Sequence, residues 1–392
     1  MRILFCNYEY PPLGGGGGVV MAAMARELAR RHEVTVLTSG MKGLAAESRD
    51  AGVRVVRVPV FFRSELAVAN MPSMAAYLPS GLIRGLSLGR GAFDVINTHF
   101  VVPTGPLGDW LARLWGIANV LSVHGGDLYD PSKKSSPHRH GFLRGPIARL
   151  LRRATEVVAQ SRDTAQNVRN IYGVQREVEL VPLGIDRPPA GISGTRAELD
   201  LPQDAFVLVT AGRVVARKAT LQLVEVLAKS PADTYLLVIG DGPEAAAVRR
   251  AAAERGCASR LRMLGYVSDE VKYKALSIAD IFISSSQHEG FGLVFLEAMA
   301  FGLPIVCYNR GGQTDFLATP ATGAVITLND QDSLLSATLA LRAAPEERRT
   351  TGARNRAAVE EYFIERCAQR YERIFERAIA TRAAGGERIR QS

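Results

Sequence analysis

Short apolar runs rich in Val, Ile and Leu alternate with helical patterns along almost the whole chain, and the alternation occurs twice. In the first half it predicts strands at residues 2–7, 33–37, 53–59, 95–98 and 119–123, with helices at 19–31 and near 106–115. The second half repeats the scheme, with strands at 207–211, 235–239, 261–263, 281–284 and 305–307. Strands without polar alternation are buried on both faces, and a helix between consecutive strands returns the chain to run the next one in the same direction. Two doubly wound, Rossmann-like α/β domains follow. The Pro- and Gly-rich stretch 181–189 breaks regular structure and marks the hinge. The expected division is residues 1–183, residues 184–360 and a C-terminal segment 361–392 that packs back across the domains. That segment continues a long amphipathic helix expected over about residues 353–383.

Ligands of open parallel sheets bind beyond the carboxyl ends of the strands, so the loops there carry the chemistry. Gly14–Gly18 opens the first helix, and His124-Gly125-Gly126-Asp127 follows the strand at 119–123. In the second half come Gly212-Arg213 with Arg217-Lys218, Gly240-Asp241-Gly242-Pro243, the Glu289 loop, and Asn309-Arg310-Gly311-Gly312. Six such loops in two facing domains describe a cleft for a phosphate-bearing ligand. Glycines at a helix start let backbone N–H groups approach an anion, and Arg213 and Lys218 add full charges. Hydrogen bonds to charged groups contribute about 1.5–3 kcal/mol each. The plainer alternatives, a flexible glycine loop and ordinary surface cations, stay open at this point. Nicotinamide dinucleotide binding is disfavoured, because Val19, Val20 or Met21 stands at the third glycine position and no acid ends the second strand. A Walker lysine motif is also absent.

Glu289-Gly-Phe-Gly-Leu-Val-Phe-Leu-Glu297 sets two acids around a turn between a buried strand and a helix. Glu297 lies in an apolar run and is expected to be largely buried, where an unpaired carboxylate is costly and needs a partner. A structural ion pair, an acid/base pair of the kind used on glycosides, and ligand contacts all satisfy the pattern. His124 is expected at the site's edge, with a packed structural role as the alternative. No metal is expected: the one Asp-x-Asp, Asp330-Gln331-Asp332, reads as a helix cap, and the histidines lack ligand spacing.

Four cysteines without CxxC spacing indicate a reducing compartment. No signal peptide or membrane span is read, so a cytoplasmic location is expected, peripheral at the inner face of the membrane. Of the net charge of +9, most belongs to residues 1–186, which hold 22 Lys and Arg against 15 Asp and Glu. Residues 133–153 carry seven basic residues, no acid, and apolar side chains at helical spacing. This suits a solvated helix face, an anionic lipid surface or a phosphate-bearing acceptor. Nucleic acid is not expected as a partner, since no aromatic platform interleaves these charges.

Gly17 to Val19, His124-Gly125, Val181-Pro-Leu-Gly-Ile-Asp186, Gly212-Arg213 with Lys218, Gly240-Asp-Gly-Pro243, Gly265-Tyr266-Val267, the Glu289 to Glu297 stretch, Gly302-Leu-Pro304 and Gly311-Gly312 occur in order along nearly the whole chain. Together they resemble the retaining, GT-B-fold glycosyltransferases of glycosyltransferase family 4. The resemblance implies a nucleotide-diphosphate sugar as donor substrate, held mainly by the C-terminal domain, with no cofactor and no metal. It implies that Arg213 and Lys218 hold the diphosphate and that Glu297 accepts from the ribose. Glu289, Phe291, Gly292 and Leu293 serve the sugar and, through backbone N–H groups, the phosphates. Gly265, Tyr266 and Val267 lie by the base, Gly17 and Gly18 approach from the other domain, and His124 contacts the sugar near its reacting carbon. Glu297's missing partner is then the ligand itself. The acceptor, a sugar or a lipid-linked sugar, belongs to the N-terminal domain, in the assembly of envelope polysaccharide, lipopolysaccharide or glycolipid. The chain departs from the pattern at Ala219, where a glycine is usual after the lysine, and at Thr314-Asp315, where a glutamate is usual. An epimerase or phosphorylase of the same fold, and a noncatalytic nucleotide-sugar-binding protein, are the alternatives.

Overall fold

The computed structural model describes every residue except 62, 64–69, 132–135 and 392, and only the backbone of 385–391. The chain divides into two compact units, Met1–Asp186 with Phe363–Ser392, and Arg187–Tyr362.

The first unit holds eight strands: β1 (Arg2–Cys6), β2 (Glu33–Ser39), β3 (Glu47–Asp50), β4 (Val53–Val58), β5 (Val95–His99), β6 (Ala118–Val123), β7 (Glu156–Ala159) and β8 (Glu179–Leu180). Their order is β3-β4-β2-β1-β5-β6-β7-β8, parallel throughout except for the β3–β4 pair. Ile3 on β1 lies opposite Val34 on one side and Val95 on the other, which places a strand apolar from Ile3 to Cys6 at the centre. Helices α1 (Gly16–Ala29), α2 (Met71–Leu88), α3 (Gly105–Trp115), α4 (Gly141–Arg153) and α5 (Arg162–Asn170) cover the sheet. One core joins Met21, Met24 and Leu28 of α1 to Tyr371, Ile374, Phe375 and Ala378 near the C-terminus; another joins Tyr77 of α2 to Leu107 and Leu111 of α3. Each such buried side chain contributes about 1.5–3 kcal/mol.

The second unit repeats the plan with β9 (Phe206–Ala211), β10 (Thr234–Ile239), β11 (Leu261–Gly265), β12 (Ile281–Ser284), β13 (Ile305–Tyr308) and β14 (Gly323–Ile326), in the order β11-β10-β9-β12-β13-β14. Helices α6 (Thr220–Lys229), α7 (Ala245–Glu254), α8 (Asp269–Ser277), α9 (Leu293–Ala300), α10 (Gln331–Ala343) and α11 (Pro345–Val359) accompany it. Asp330 caps α10, its carboxylate accepting from the Ser333 N–H at 3.0 Å.

Two sequence expectations are corrected. The long helix over 353–383 is two helices, α11 and α12 (Ile364–Gln391). Phe363 pairs with Ile185 in a parallel bridge and the Ile364 N–H donates to the Ile185 carbonyl at 2.9 Å, so the backbone leaves the helical ladder there. The C-terminal segment, expected as residues 361–392 packing back across the domains, belongs from Phe363 onward to the first unit and joins its core. The strand β3, Glu-Ser-Arg-Asp, escapes a hydrophobic reading because it is a charged edge strand, a composition that discourages pairing with other chains.

Candidate active site

In the second unit every strand runs parallel to its neighbours, so the loops after β9, β10, β11, β12 and β13 emerge at one edge. The backbone of Glu289 is anchored there at both ends: its N–H donates to the Arg310 carbonyl at 3.3 Å, and its carbonyl accepts from the Gly312 N–H at 2.8 Å. Gly311, with φ of 115°, packs directly on this backbone and leaves no room for a side chain.

The Glu289 side chain is buried and pairs with two cations. Lys218 Nζ donates to Oε1, and Arg217 Nη1 lies 3.3 Å from Oε2. Burial alone pushes the carboxyl's pKa up. The charges of Lys218 and Arg217, with hydrogen bonds from Lys218 and Ser286, outweigh it and hold the group at about 2. The turn carrying the cations is tied to the loop after β12: Ser285 Oγ lies 3.0 Å from the carbonyls of Lys218 and Ala219, and the Gln287 N–H donates to the Arg217 carbonyl at 2.8 Å. Arg213 is exposed, and among the described residues no side chain pairs with it.

Glu297 differs from expectation. It is half-buried, and Lys272 Nζ of α8 donates to it at 2.7 Å while also pairing with Asp269 at 2.8 Å. Burial opposes the Lys272 charge, but Glu297 and Asp269 together raise its pKa. The partner assigned to a ligand is thus supplied by the protein. It lies 25 residues upstream, on a helix brought alongside α9 by the fold. The Phe291 side chain is buried against Phe316 at 5.2 Å between ring centroids, which leaves only its backbone for a ligand. Gly292, with φ of 98°, starts α9, and Leu293 is its first residue. At the end of β11, Gly265 accepts from the Gly240 N–H at 2.8 Å, while Tyr266 just beyond is 96% exposed beside Val267.

In the first unit, α1 begins within the glycine run. Glu9 accepts from the Gly15 N–H at 3.1 Å, Gly18 is buried against the Glu9 backbone, and Gly17 stands half-exposed next to the Phe100 ring, where a Cβ would clash. His124 follows β6 and is 9% exposed. The Asp127 carboxylate accepts from the His124 N–H at 2.9 Å and from the Val101 N–H at 2.7 Å, joining the loops after β5 and β6. Burial lowers the His124 pKa to about 4, with a smaller opposing contribution from Gln160. Its Nε2 lies 2.9 Å from Nδ1 of His99, and the Phe100 ring centroid is 4.4 Å from its own.

Sequence reasoning passed over Arg217, Lys272 and His99 as site residues. The signals were present: Arg217 adjoins Lys218, and His99 is an ionisable group ending an otherwise uncharged, fully buried strand.

Two α/β units of mainly parallel sheet, with glycine-rich loops at their strand ends, fit the glycosyltransferases of GT-B fold, and comparison with known proteins shows that class. Residues 14–187 match the family described as Glycosyltransferase Family 4, and residues 193–358 match Glycosyl transferases group 1. The chain belongs to glycosyltransferase family 4. It is 28% identical over 379 residues to the GDP-mannose-dependent alpha-(1-6)-phosphatidylinositol monomannoside mannosyltransferase of Mycolicibacterium smegmatis, covering 90% of this chain and 92% of that protein. Its fold superimposes on sucrose-phosphate synthase of Thermosynechococcus elongatus with a TM-score of 0.81 at 22% identity, covering 97% and 99% of the two chains. The Anabaena protein HepE, solved in complex with UDP and glucose, matches with a TM-score of 0.76 at 18% identity over 96% and 99%.

Proposed function

We propose that this glycosyltransferase moves a sugar from a nucleoside-diphosphate donor to a lipid-linked or saccharide acceptor, with retention of anomeric configuration and without a metal ion. The observation that carries the donor assignment is the cation cluster of Lys218 and Arg217 on Glu289, with Arg213 exposed and unpaired among the described residues, at the strand edge where the second unit's loops gather. An ammonium has three donors, so Lys218 keeps two for phosphate oxygens while its bond to Glu289 holds it in place. These fixed cations neutralise a leaving diphosphate, the service a divalent ion performs elsewhere. Glu297, anchored by Lys272, accepts from the ribose, and the exposed Tyr266 adjoins the base. The departing diphosphate assists deprotonation of the acceptor, and no cofactor or protein nucleophile is required. UDP and glucose in HepE and GDP-mannose for the mycobacterial relative support a nucleotide-sugar donor.

The acceptor reading draws on the first unit. Here α3 packs against both α2 and α4. These three helices expose Met71, Ile83, Leu86, Trp110, Leu114 and Phe142, most of the large apolar side chains exposed among the described residues. They carry six arginines (Arg84, Arg113, Arg144, Arg149, Arg152 and Arg153) against one carboxylate, Asp109. Lys133 and Lys134 of the basic segment lie outside the described residues. Basic residues near an anionic bilayer contribute about 1 kcal/mol each, and no helix among the described residues is long and apolar enough to cross one. This surface favours a peripheral membrane contact and a lipid-linked acceptor.

A thermal-shift screen of nucleotide sugars, followed by assay of slow donor hydrolysis, tests the donor assignment. One donor should stabilise the protein and be hydrolysed, and Lys218→Ala should sharply reduce both effects at the same donor concentration. Unchanged donor binding in Lys218→Ala would refute the diphosphate assignment. Turnover surviving exhaustive chelation supports metal independence, and the product's anomeric configuration by NMR tests retention. Co-sedimentation with vesicles that is indifferent to anionic lipid and salt would remove the membrane contact.

A further inference from the structure

A directed chain of buried side chains in the first unit ends at His124. The Asn97 amide nitrogen lies 3.0 Å from the Val120 carbonyl and 2.9 Å from Ser122 Oγ. A carbonyl only accepts, so the NH2 of Asn97 must face Val120, and its Oδ1 faces the other way. That oxygen lies 2.7 Å from Nε2 of His99, which therefore carries a proton. Burial, reinforced by the neighbouring His124, holds His99 neutral. A neutral imidazole protonated at Nε2 has a bare Nδ1. His124 Nε2, 2.9 Å away, must donate to that nitrogen, and a neutral His124 is then itself bare at Nδ1.

That Nδ1 is buried and has no partner among the described residues. The rest of the chain is held on every side. Tyr371 of α12 donates its hydroxyl to Ser122 Oγ at 2.9 Å, and the His99 ring stacks on Phe5 with centroids 5.4 Å apart. The unsatisfied acceptor stands in a loop with exposed Gly126 on one side and, across its ring, the half-exposed Phe100, whose backbone is left-handed with φ of 68°. A buried acceptor left without a donor is costly, and such groups in native structures mark a function or a ligand.

We propose that His99 is a positioning residue for this transferase: it fixes His124 as the Nε2–H tautomer, so that Nδ1 accepts a hydrogen bond from one hydroxyl of a bound sugar. The hydroxyl reaches it as the Phe100 side chain turns aside. The proposal rests on the reading of His124 as a sugar-contacting residue. The shared chemistry is a sugar O–H donor, which the donor substrate or a saccharide acceptor can supply.

The test uses the full chain, with imidazole 15N NMR for the tautomer and kcat/KM measured on monodeoxy analogues of whichever nucleotide sugar and acceptor support turnover. In the wild type, His124 should show a protonated Nε2 and an unprotonated Nδ1. One monodeoxy analogue should lose about tenfold in kcat/KM, the worth of one hydrogen bond. Whether that analogue belongs to the donor or the acceptor series identifies the sugar. The discrimination should vanish in His124→Phe and His99→Phe. It should return in His99→Gln, whose amide oxygen can accept from His124 Nε2–H.

A wild-type His124 protonated on Nδ1 overturns the proposal outright, and that measurement needs neither a variant nor activity. If the tautomer is as stated but no deoxy analogue separates wild type from His124→Phe, His124 does not bind the hydroxyl and the proposal fails with that reading. If discrimination persists in His99→Phe, His99 serves packing alone. Absence of transfer from any nucleotide sugar by wild type would instead strike the donor assignment.

Discussion

His124 in the first unit and Glu289 in the second each follow a buried parallel strand, and each is more than nine-tenths buried, yet the protein keeps them inside by opposite means. His124 is kept neutral, with one ring nitrogen satisfied by His99 and the other without a partner among the described residues. Glu289 is kept charged, with Lys218 and Arg217 on its two oxygens. A neutral acceptor suits recognition of hydroxyl groups. A buried ion cluster suits a charged ligand, because it holds cations in position before the ligand arrives and removes the reorganisation that would otherwise slow the reaction.

The comparison breaks most readily at Glu289. Glu289→Ala leaves Lys218 and Arg217 without their counterion, and breaking a buried pair from one side typically costs about 3–5 kcal/mol. Denaturant unfolding should show a loss of that order together with lost turnover, and Glu289→Gln should fall in between. An alanine variant as stable as wild type would mean the cations do not depend on this carboxylate.

Acid should weaken the two units in sequence. The histidines' folded pKa values are depressed, so below the ordinary value of 6.5 the unfolded state takes up protons that the folded state refuses. Stability from His124 is therefore present above pH 6.5 and lost as pH falls to about 4, on the order of 3 kcal/mol, with His99 acting in the same direction. Glu289 is also depressed, from 4.5 to about 2, so its contribution is intact above 4.5 and lost only between 4.5 and 2. Amide exchange followed by mass spectrometry at pH 7, 5 and 3.5 should show protection falling first around β5 and β6. Simultaneous loss in both units would show that these groups do not govern their acid response.

The third comparison sets two cations of one unit against each other. Lys218→Ala should weaken donor binding ten- to a hundredfold, about 1.5–3 kcal/mol for a charged hydrogen bond, and should also lower stability because Glu289 loses its partner. Arg213→Ala should weaken donor binding to a similar extent while changing stability by less than about 0.5 kcal/mol, since its side chain is exposed and touches no described acid. Calorimetric titration with the best nucleotide sugar, beside thermal unfolding of both variants, separates the two effects.

Much of this architecture is legible in the chain itself. Strands such as Ile281–Ser284 and Ala118–Val123 are apolar or uncharged on both faces, and the loops after them are marked by glycines, Gly290 and Gly292 in one and Gly125 and Gly126 in the other. What stays hidden is pairing at a distance. Lys218 and Glu289 are 71 residues apart and meet only because β9 and β12 are neighbours in the sheet. Glu297 reads as a carboxylate in need of a ligand because Lys272 belongs to another element, α8, whose approach to α9 no local pattern encodes. The break before Ile364 is hidden for the same reason, since it depends on Phe363 pairing with Ile185.

Ala219 is the mildest test of how the second unit builds its cation cluster. It follows Lys218 and sits in the left-handed region with φ of 46°, where an L side chain costs roughly 1–2 kcal/mol and glycine avoids that strain. Its backbone also serves the cluster, because the Ala219 carbonyl accepts from Ser285 Oγ and its N–H closes the turn onto the Ala216 carbonyl at 3.0 Å. Ala219→Gly relieves the strain but gives the unfolded chain more freedom, so the net gain should be at most about 1 kcal/mol, read as a small rise in Tm. Donor affinity should hold steady, because the ties from Ser285 and Gln287 fix the turn whichever residue occupies it. A fall in donor affinity without a fall in Tm would show that the alanine, strain included, helps to aim Lys218.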